Sequence, residues 1–280
     1  VKAWRYLSFR YYDAFENMAI DEAIVRESQQ ENFFPTLRFY SWEKPSVSLG
    51  YFQNVEDEVN IQFCQDTGIP IVRRPTGGKA VLHEGDLTYS VVAREDNPLF
   101  PTSLLGTYQI ISQCIATGLA ELGIQADMLQ EGRETDAPEL GALCFSMPSQ
   151  YELLVKGKKI CGSAQMRTKG VFLQHGSLLM DFDPHSSCLA ISKNNGSISK
   201  EEEKLKKHVT SIHENMSRKT DHSEVCCALA SGFEKTLGIR LIEGTLTPRE
   251  ERTKEQLLHY KYSKRPWNME GKATEWTLQE

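Results

Sequence analysis

The sequence predicts a mixed α+β domain, largely antiparallel in its sheets and flanked by helices. Three observations lead there. Aromatic and β-branched runs come in pairs split by short turns, as at 37–42 and 47–51 around Glu43-Lys44-Pro45. Helical periodicity is confined to separate stretches instead of following every strand. From residue 248 onward little but one helix is expected, so the core lies within 1–245 and 246–280 form a short C-terminal helical extension.

At 280 residues the chain can bury a substantial core. Its 40% hydrophobic and 25% charged residues are those of an ordinary globular protein. A net charge of −6 argues against a sequence-independent nucleic-acid binder, which carries a basic excess. No apolar run is long enough to cross a bilayer, and residues 1–10 lack the form of a signal peptide, so no membrane partner is expected. Seven cysteines without CxxC spacing, two of them adjacent at Cys226-Cys227, read as reduced thiols in a cytoplasm. Without paired Cys/His ligand spacing, a structural metal is not expected; no other cofactor is expected either.

The elements follow in order. Residues 17–28 place Met18, Ala19 or Ile20, Ala23 and Ile24 on one face of an amphipathic helix. Residues 37–42 and 47–51 read as a hairpin, and 55–66 as a helix stopped by Gly68. Ser103 is the expected N-cap of a helix that runs through Leu122 and ends at Gly123. Residues 124–129 read as a strand. The acidic, aperiodic stretch 131–149 is long for a structureless connection, and such loops tend to be functional. Residues 151–155, 159–165 and 171–182 form a strand meander; 201–207 read as a solvated helix; 223–237, 239–242 and 248–260 read as helix, strand and helix.

The centre of the chain is RRPTGGKAVLHEGDLTYSVV, residues 73–92. Residues 69–72 make a short buried strand, Pro75-Thr76-Gly77-Gly78 force a tight turn, and strands resume at 80–82 and 87–92. Such a turn can bring backbone N–H groups against a carbonyl or phosphate. An ordinary hairpin with surface arginines fits the same spacing equally well.

Two residues of the second half are candidates for chemistry: Cys144 in GALCFSMPSQYEL and Lys159 in KKICGSAQ. A cysteine is more often a small buried hydrophobe than a nucleophile. Cys144 stands apart because it falls in the irregular stretch, whereas Cys114 and Cys161 fall within periodic segments and should pack. Lys159, beside Lys156 and Lys158, also fits a strand-edge lysine.

The motifs NMAIDEAI, FYSWEKPSVSLGYFQ, RRPTGGKAVLHEGDLTYSV, LCFSMPSQYEL, GKKICGSAQMR, VFLQHGSLLMDFD and YKYSKRPWN span nearly the whole chain. In that order they resemble the lipoate–protein ligase/biotin–protein ligase superfamily, and within it the octanoyltransferases of the LipM type. The resemblance implies two sheets flanked by helices, related to the catalytic core of class II aminoacyl-tRNA synthetases. It also implies a donor, octanoyl–acyl carrier protein, and an acceptor lysine on a lipoyl domain such as the glycine cleavage H protein. Lys79 and Glu84 depart from the GGGAVxHD turn of ATP-using lipoate ligases, which also lack a cysteine in the place of Cys144.

Moving an acyl group from a thioester to an amine needs no ATP, but it needs a nucleophile that holds the group while carriers exchange. A thiol of pKa ~8.5 is only partly ionised near neutral pH, and a nearby ammonium favours the thiolate. The family pattern makes Cys144 the nucleophile and Lys159 that cation. Backbone N–H groups at Gly162 and Ser163, or at Gly77 and Gly78, are candidates for the oxyanion. Arg73, His83, Ala164 and Gln165 lie in matching motifs and are expected around the acyl slot, whose ~0.8 kcal/mol per methylene would hold the tail. His175 is expected in a core or hydrogen-bonding role. Three alternatives stay open: an ATP-dependent lipoate–protein ligase, an amidotransferase between lipoyl domains, and a non-catalytic carrier-binding protein.

Overall fold

The computed structural model describes residues 2–28, 30, 33–129, 151–191 and 198–272. Its main sheet has six strands in the order β10-β11-β6-β2-β1-β12. These are β1 (Lys2–Tyr12), β2 (Thr36–Trp42), β6 (Leu87–Arg94), β10 (Cys161–Thr168), β11 (Val171–Leu178) and β12 (Ile239–Glu243). β1 runs parallel to both β2 and β12, while β2, β6, β11 and β10 pair antiparallel. The antiparallel character expected from the sequence therefore holds in one half of the sheet and gives way to parallel pairing in the other.

Period-two alternation splits this sheet into two faces. Leu37, Phe39, Val91 and Phe172 point to helices α4 (Leu104–Glu121) and α8 (His222–Leu237). Those helices cross at backbone contact, because a Cβ on Gly232 would lie 2.4 Å from the Cys114 carbonyl oxygen. Val92, Val171 and Leu173 point the other way, toward Ile20 and Ile24 of α1 (Ala14–Glu27). Helix α1 is buried around most of its circumference rather than on one stripe, because a second layer covers its back. Ala14, Met18 and Ala23 pack there on Leu257, Tyr262 and Trp267.

That second layer comes from the C-terminal part. Helix α9 (Pro248–Leu257) starts with a capping box between Thr247 and Glu250 and passes through a π-helical turn, Leu258–Tyr262. A further helix, α10 (Arg265–Glu270), follows where the sequence pattern showed none.

The expected hairpins are corrected. Runs 37–42 and 47–51 do not pair with each other: β2 is hydrogen-bonded on both sides within the large sheet, so it has no free edge. The second run, β3 (Ser46–Leu49), forms the middle of a small sheet, between β4 (Ile71–Arg73) in parallel and β5 (Val81–His83) antiparallel. The strands on either side of the glycine turn are thus separated by β3, and β6 belongs to the other sheet. Alternation identifies a strand but not its neighbour.

A third sheet joins β7 (Asp127–Met128), β8 (Leu153–Val155) and β9 (Lys158–Lys159), so the expected meander is two hairpins in two sheets. The single helix expected at 55–66 is two, α2 (Val55–Glu58) and α3 (Ile61–Thr67), because the Asn60 side chain caps a new start. Ser103 caps α4 and Gly68 ends α3 at φ +70°, as their residue types predict. The solvated helix is α6 (Ile198–His208), which buries Leu205 alone. The stretch 131–149 lies outside the described residues, Cys144 with it.

Candidate active site

A cavity of about 440 Å³, open mouth included, lies on the α1 face of the large sheet, between it and the small sheet β4-β3-β5. Tyr40, Trp42 and Thr88 reach into it from β2 and β6, and His175 and Ser177 from β11. Ser48, Val81 and His83 face them from β3 and β5, and Met18 comes from α1. Gly162, Ser163 and Ala164 of edge strand β10 and Gly78 of the glycine turn complete the wall. Strand alternation explains the selection, since alternate residues of β2, β6 and β11 share this face.

Missing side chains are needed here. A Cβ on Gly50 would sit 1.9 Å from the Gly78 carbonyl oxygen, so these two loops meet backbone to backbone. Gly78 itself has φ +91°, a conformation natural to glycine. Gly176, opposite Ser163 across the β10–β11 ladder, would place a Cβ 2.5 Å from Ser163 Oγ.

Two buried polar networks flank the cavity. In the first, Asp21 of α1 accepts from Arg38 Nη1 at 2.7 Å and from the Tyr40 hydroxyl at 3.0 Å. His175 Nδ1 lies 3.1 Å from the same carboxylate, and its Nε2 lies 2.6 Å from Thr76 Oγ1 in the glycine turn. Burial raises the Asp21 pKa, but Arg38 and the hydrogen bond from His175 outweigh it and hold the carboxyl below the usual range. Burial lowers His175, more than Asp21 raises it, so the imidazole is neutral at pH 7. An ionised Asp21 only accepts, so Nδ1 carries the proton and Nε2 accepts from Thr76.

In the second network His83 stacks on Trp42 with ring centres 3.9 Å apart. Its Nδ1 lies 2.9 Å from Asp86 Oδ2 and its Nε2 lies 2.8 Å from Ser48 Oγ. Asp86 also accepts from Ser177 at 2.5 Å and from Thr88 at 3.2 Å. Its burial favours the neutral acid, yet His83 and the two hydroxyls keep it ionised.

The arginine pair divides. Arg74 lines the cavity and donates to Ser48 and to the carbonyls of Gly77 and Lys79, which holds the turn in shape. Arg73 does not line it. It points to the opposite side, where its guanidinium donates to the carbonyls of Gly50, Tyr51, Gln53 and Trp267.

Of the residues expected from the sequence, Gly78, His83, Gly162, Ser163 and Ala164 converge on the cavity, and Gly77 sits on its turn. Gln165 is one residue further along β10, bonded to Gln174 rather than lining the wall. Lys159 is in the third sheet, buried, with Nζ 2.6 Å from Glu152 Oε1. Unrecognised from the sequence were Ser48, Arg74, Thr76 and the acids Asp21 and Asp86. All five lie inside motifs that carry the family resemblance, and Arg74 is separated from Arg73 only by the side to which each points. Among the described residues no cluster of three metal-ligating side chains occurs, and no helix is long and apolar enough to cross a membrane.

This arrangement has relatives. The lipoyl protein ligase A/B catalytic domain family matches residues 13–234, most of the chain. The chain belongs to that family. Within it the chain is 40% identical over 272 residues to octanoyltransferase LipM of Geobacillus kaustophilus, covering 95% of this chain and 98% of that one. It is equally similar, at 40% over 272 residues, to octanoyltransferase LipM of Kyrpidia tusciae, covering 96% and 99%. Among solved structures it superposes with a TM-score of 0.82 and 28% identity on a bi-partite lipoate protein ligase of an archaeal lipoylation system from Thermoplasma acidophilum. That match covers 98% of this chain and 99% of the other. The family and these relatives make the chain an octanoyltransferase of the LipM type, an acyltransferase of lipoate biosynthesis.

Proposed function

We propose that the chain moves an octanoyl group from the phosphopantetheine thiol of octanoyl–acyl carrier protein to a lysine of a lipoyl domain, through a thioester on Cys144. The glycine cleavage H protein is the first acceptor to test, and the cytoplasm the place. The observation that carries this reading is the cavity, whose accessible lining is mainly apolar while its charged groups are turned to internal partners. An uncharged acyl tail suits such a lining, at ~0.8 kcal/mol per buried methylene.

The other cysteines support Cys144 by their own chemistry. Burial pushes the thiols of Cys64 and Cys188 up to about 11, and those of Cys114 and Cys161 up to about 12. Cys226 is raised further by the same cause, and Cys227 is exposed on α8. A raised thiol holds little thiolate near pH 7.

In the first step the Cys144 thiolate attacks the donor carbonyl, a new C–S bond forms, and the phosphopantetheine thiolate leaves and takes up a proton. In the second the acceptor lysine, as free amine, attacks the thioester; the C–N bond forms, its proton goes to solvent or a base, and the Cys144 thiolate departs. Lys159 would favour the thiolate electrostatically, with Glu152 fixing the ammonium in place. Likeness to a lipoate protein ligase favours a second reading, in which ATP and free lipoate are used. Lys79 and Glu84 in the turn speak against it.

One experiment tests both readings. Octanoyl–acyl carrier protein without acceptor or ATP should leave one hydroxylamine-labile octanoyl group on the peptide bearing Cys144. Adding apo H protein should then discharge it. An adduct elsewhere, transfer that survives Cys144→Ala, or strict dependence on ATP and free lipoate, sinks the proposal.

A further inference from the structure

Residues 153–180 hold five cations, Lys156, Lys158, Lys159, Arg167 and Lys169, and no carboxylate, in a chain of net charge −6. Among these, Lys159 pairs with Glu152 and Arg167 with Glu95. The tip of the β8–β9 hairpin is different. Lys156 stands exposed there in a left-handed conformation, φ +51°. Lys158 donates its Nζ to the Lys206 carbonyl in the last turn of α6, at 2.8 Å. This contact brings the hairpin tip against a second basic group, Lys206, Lys207 and His208, all exposed. Lys206 has Glu202 at 3.9 Å, while Lys204, two residues back, pairs with Glu201 at 3.1 Å.

Cations at a helix C-terminus complement its dipole, by about 0.3–1 kcal/mol each, which accounts for Lys206 and Lys207 by themselves. It does not account for a separate hairpin delivering Lys156 and Lys158 to the same spot, where like charges repel. Two elements converging on one exposed basic patch point to an anionic partner.

We infer that this patch, from the β8–β9 hairpin and the end of α6, docks the acyl-donor carrier protein through its acidic surface and the phosphodiester of its phosphopantetheine arm. The inference rests on the reading that such a carrier is the donor. Placement favours the donor over the acceptor. Along β9, Lys158 faces the patch and the next residue, Lys159, faces inward as the proposed partner of the reacting thiol. An arm laid over the patch therefore carries a permanent negative charge to the strand that leads inside. The patch also overcomes a general obstacle, because a chain of net charge −6 otherwise repels an acidic protein.

The test is the triple variant Lys156→Glu/Lys206→Glu/Lys207→Glu, with a milder Gln triple. Each is assayed with octanoyl–acyl carrier protein and with octanoyl-N-acetylcysteamine, a neutral thioester without carrier or phosphate. KM for the carrier-bound donor should rise by about tenfold or more at low ionic strength, and its salt dependence should flatten. The Gln triple should shift it less, in the same direction. Transfer from the neutral thioester and KM for apo H protein should stay at wild-type values, which also reports that the variants are folded. A wild-type KM for the carrier donor in the Glu triple overturns the inference, as does a rise confined to apo H protein. Wild-type protein that uses the neutral thioester but not octanoyl–acyl carrier protein overturns the donor reading itself, and the docking inference with it.

Discussion

Arg73 and Arg74 are neighbours in sequence and both buried, yet they serve opposite sides of one short strand. On the cavity side, Arg74 shapes the glycine turn by donating to Ser48, Gly77 and Lys79. On the far side, Arg73 ties the loop of Gly50, Tyr51 and Gln53 to the C-terminal helix α10, while the Trp267 indole donates back to the Arg73 carbonyl. Gly50 in turn meets Gly78 backbone to backbone. The wall that lines the cavity thus leans on a loop that does not, and the C-terminal segment supports the cavity without lining it. Motif membership says that a residue matters, whereas strand parity says for what.

The largest effect that tests this division is expected from Arg73→Ala. It strands carbonyls on two segments, the loop of Gly50, Tyr51 and Gln53 and helix α10, each buried one costing about 1–3 kcal/mol when left unpaired. A loss of about 5 kcal/mol or more in urea unfolding is expected, on the scale of a whole domain's stability. Arg73→Lys should recover little of it, since an ammonium has fewer donors than the planar fork. A loss under about 2 kcal/mol would break the comparison.

Lys159 is next. Removing it leaves Glu152 buried and unpaired, so Lys159→Ala should lose about 3–5 kcal/mol. The apolar pair Lys159→Met/Glu152→Leu should regain most of that stability while octanoyl transfer stays low. Transfer that recovers along with stability would leave the ammonium without a chemical role.

Arg74→Ala should cost less, about 1–3 kcal/mol, because its guanidinium donates to the carbonyls of Ser48, Gly77 and Lys79, whereas Arg73 holds those of Gly50, Tyr51, Gln53, Trp267 and Met269. Its larger effect should be on KM for the octanoyl donor, read by steady-state kinetics against kcat. Equal stability losses for Arg73→Ala and Arg74→Ala would erase the distinction between the two sides.

The smallest effect is in pH dependence. His175 has a pKa below its ordinary 6.5 in the folded protein, chiefly through burial, so the unfolded chain takes up the proton first. Its contribution to stability is complete above pH 6.5 and is lost as pH falls through 6.5 toward the lower folded value. His213 acts in a different window. Burial lowers its pKa, but Thr220 and Asp181 raise it above 6.5 overall, so its contribution fades as pH rises above that value. Asp21 and Asp86, both depressed, lose theirs only below the ordinary 3.8. Unfolding measured from pH 7 downward should therefore show a slope just below 6.5 that His175→Gln flattens. An unchanged slope would mean that the Asp21–His175–Thr76 connection is not what holds the turn at neutral pH.

The sequence by itself determined the local elements and the family. Hydrophobic periods marked α1, α4 and α8, and residue type marked helix ends, Ser103 as the cap of α4 and Gly68 as the left-handed stop of α3. The run of motifs identified the relatives and drew attention to Gly78, His83, Gly162, Ser163 and Ala164. β1 was not seen, because its buried positions Trp4 and Leu7 do not alternate and a bulge shifts its register between Leu7 and Arg10. Only the tertiary structure decided that β2 and β3 belong to different sheets, that Arg74 and not Arg73 faces the cavity, and that His175 joins Asp21 to Thr76. Lys159's burial against Glu152 is of the same kind. Periodicity and capping are local, set by backbone geometry within a few residues. Sheet partners, the face a charged side chain takes and its protonation depend on what packs beside it from far along the chain.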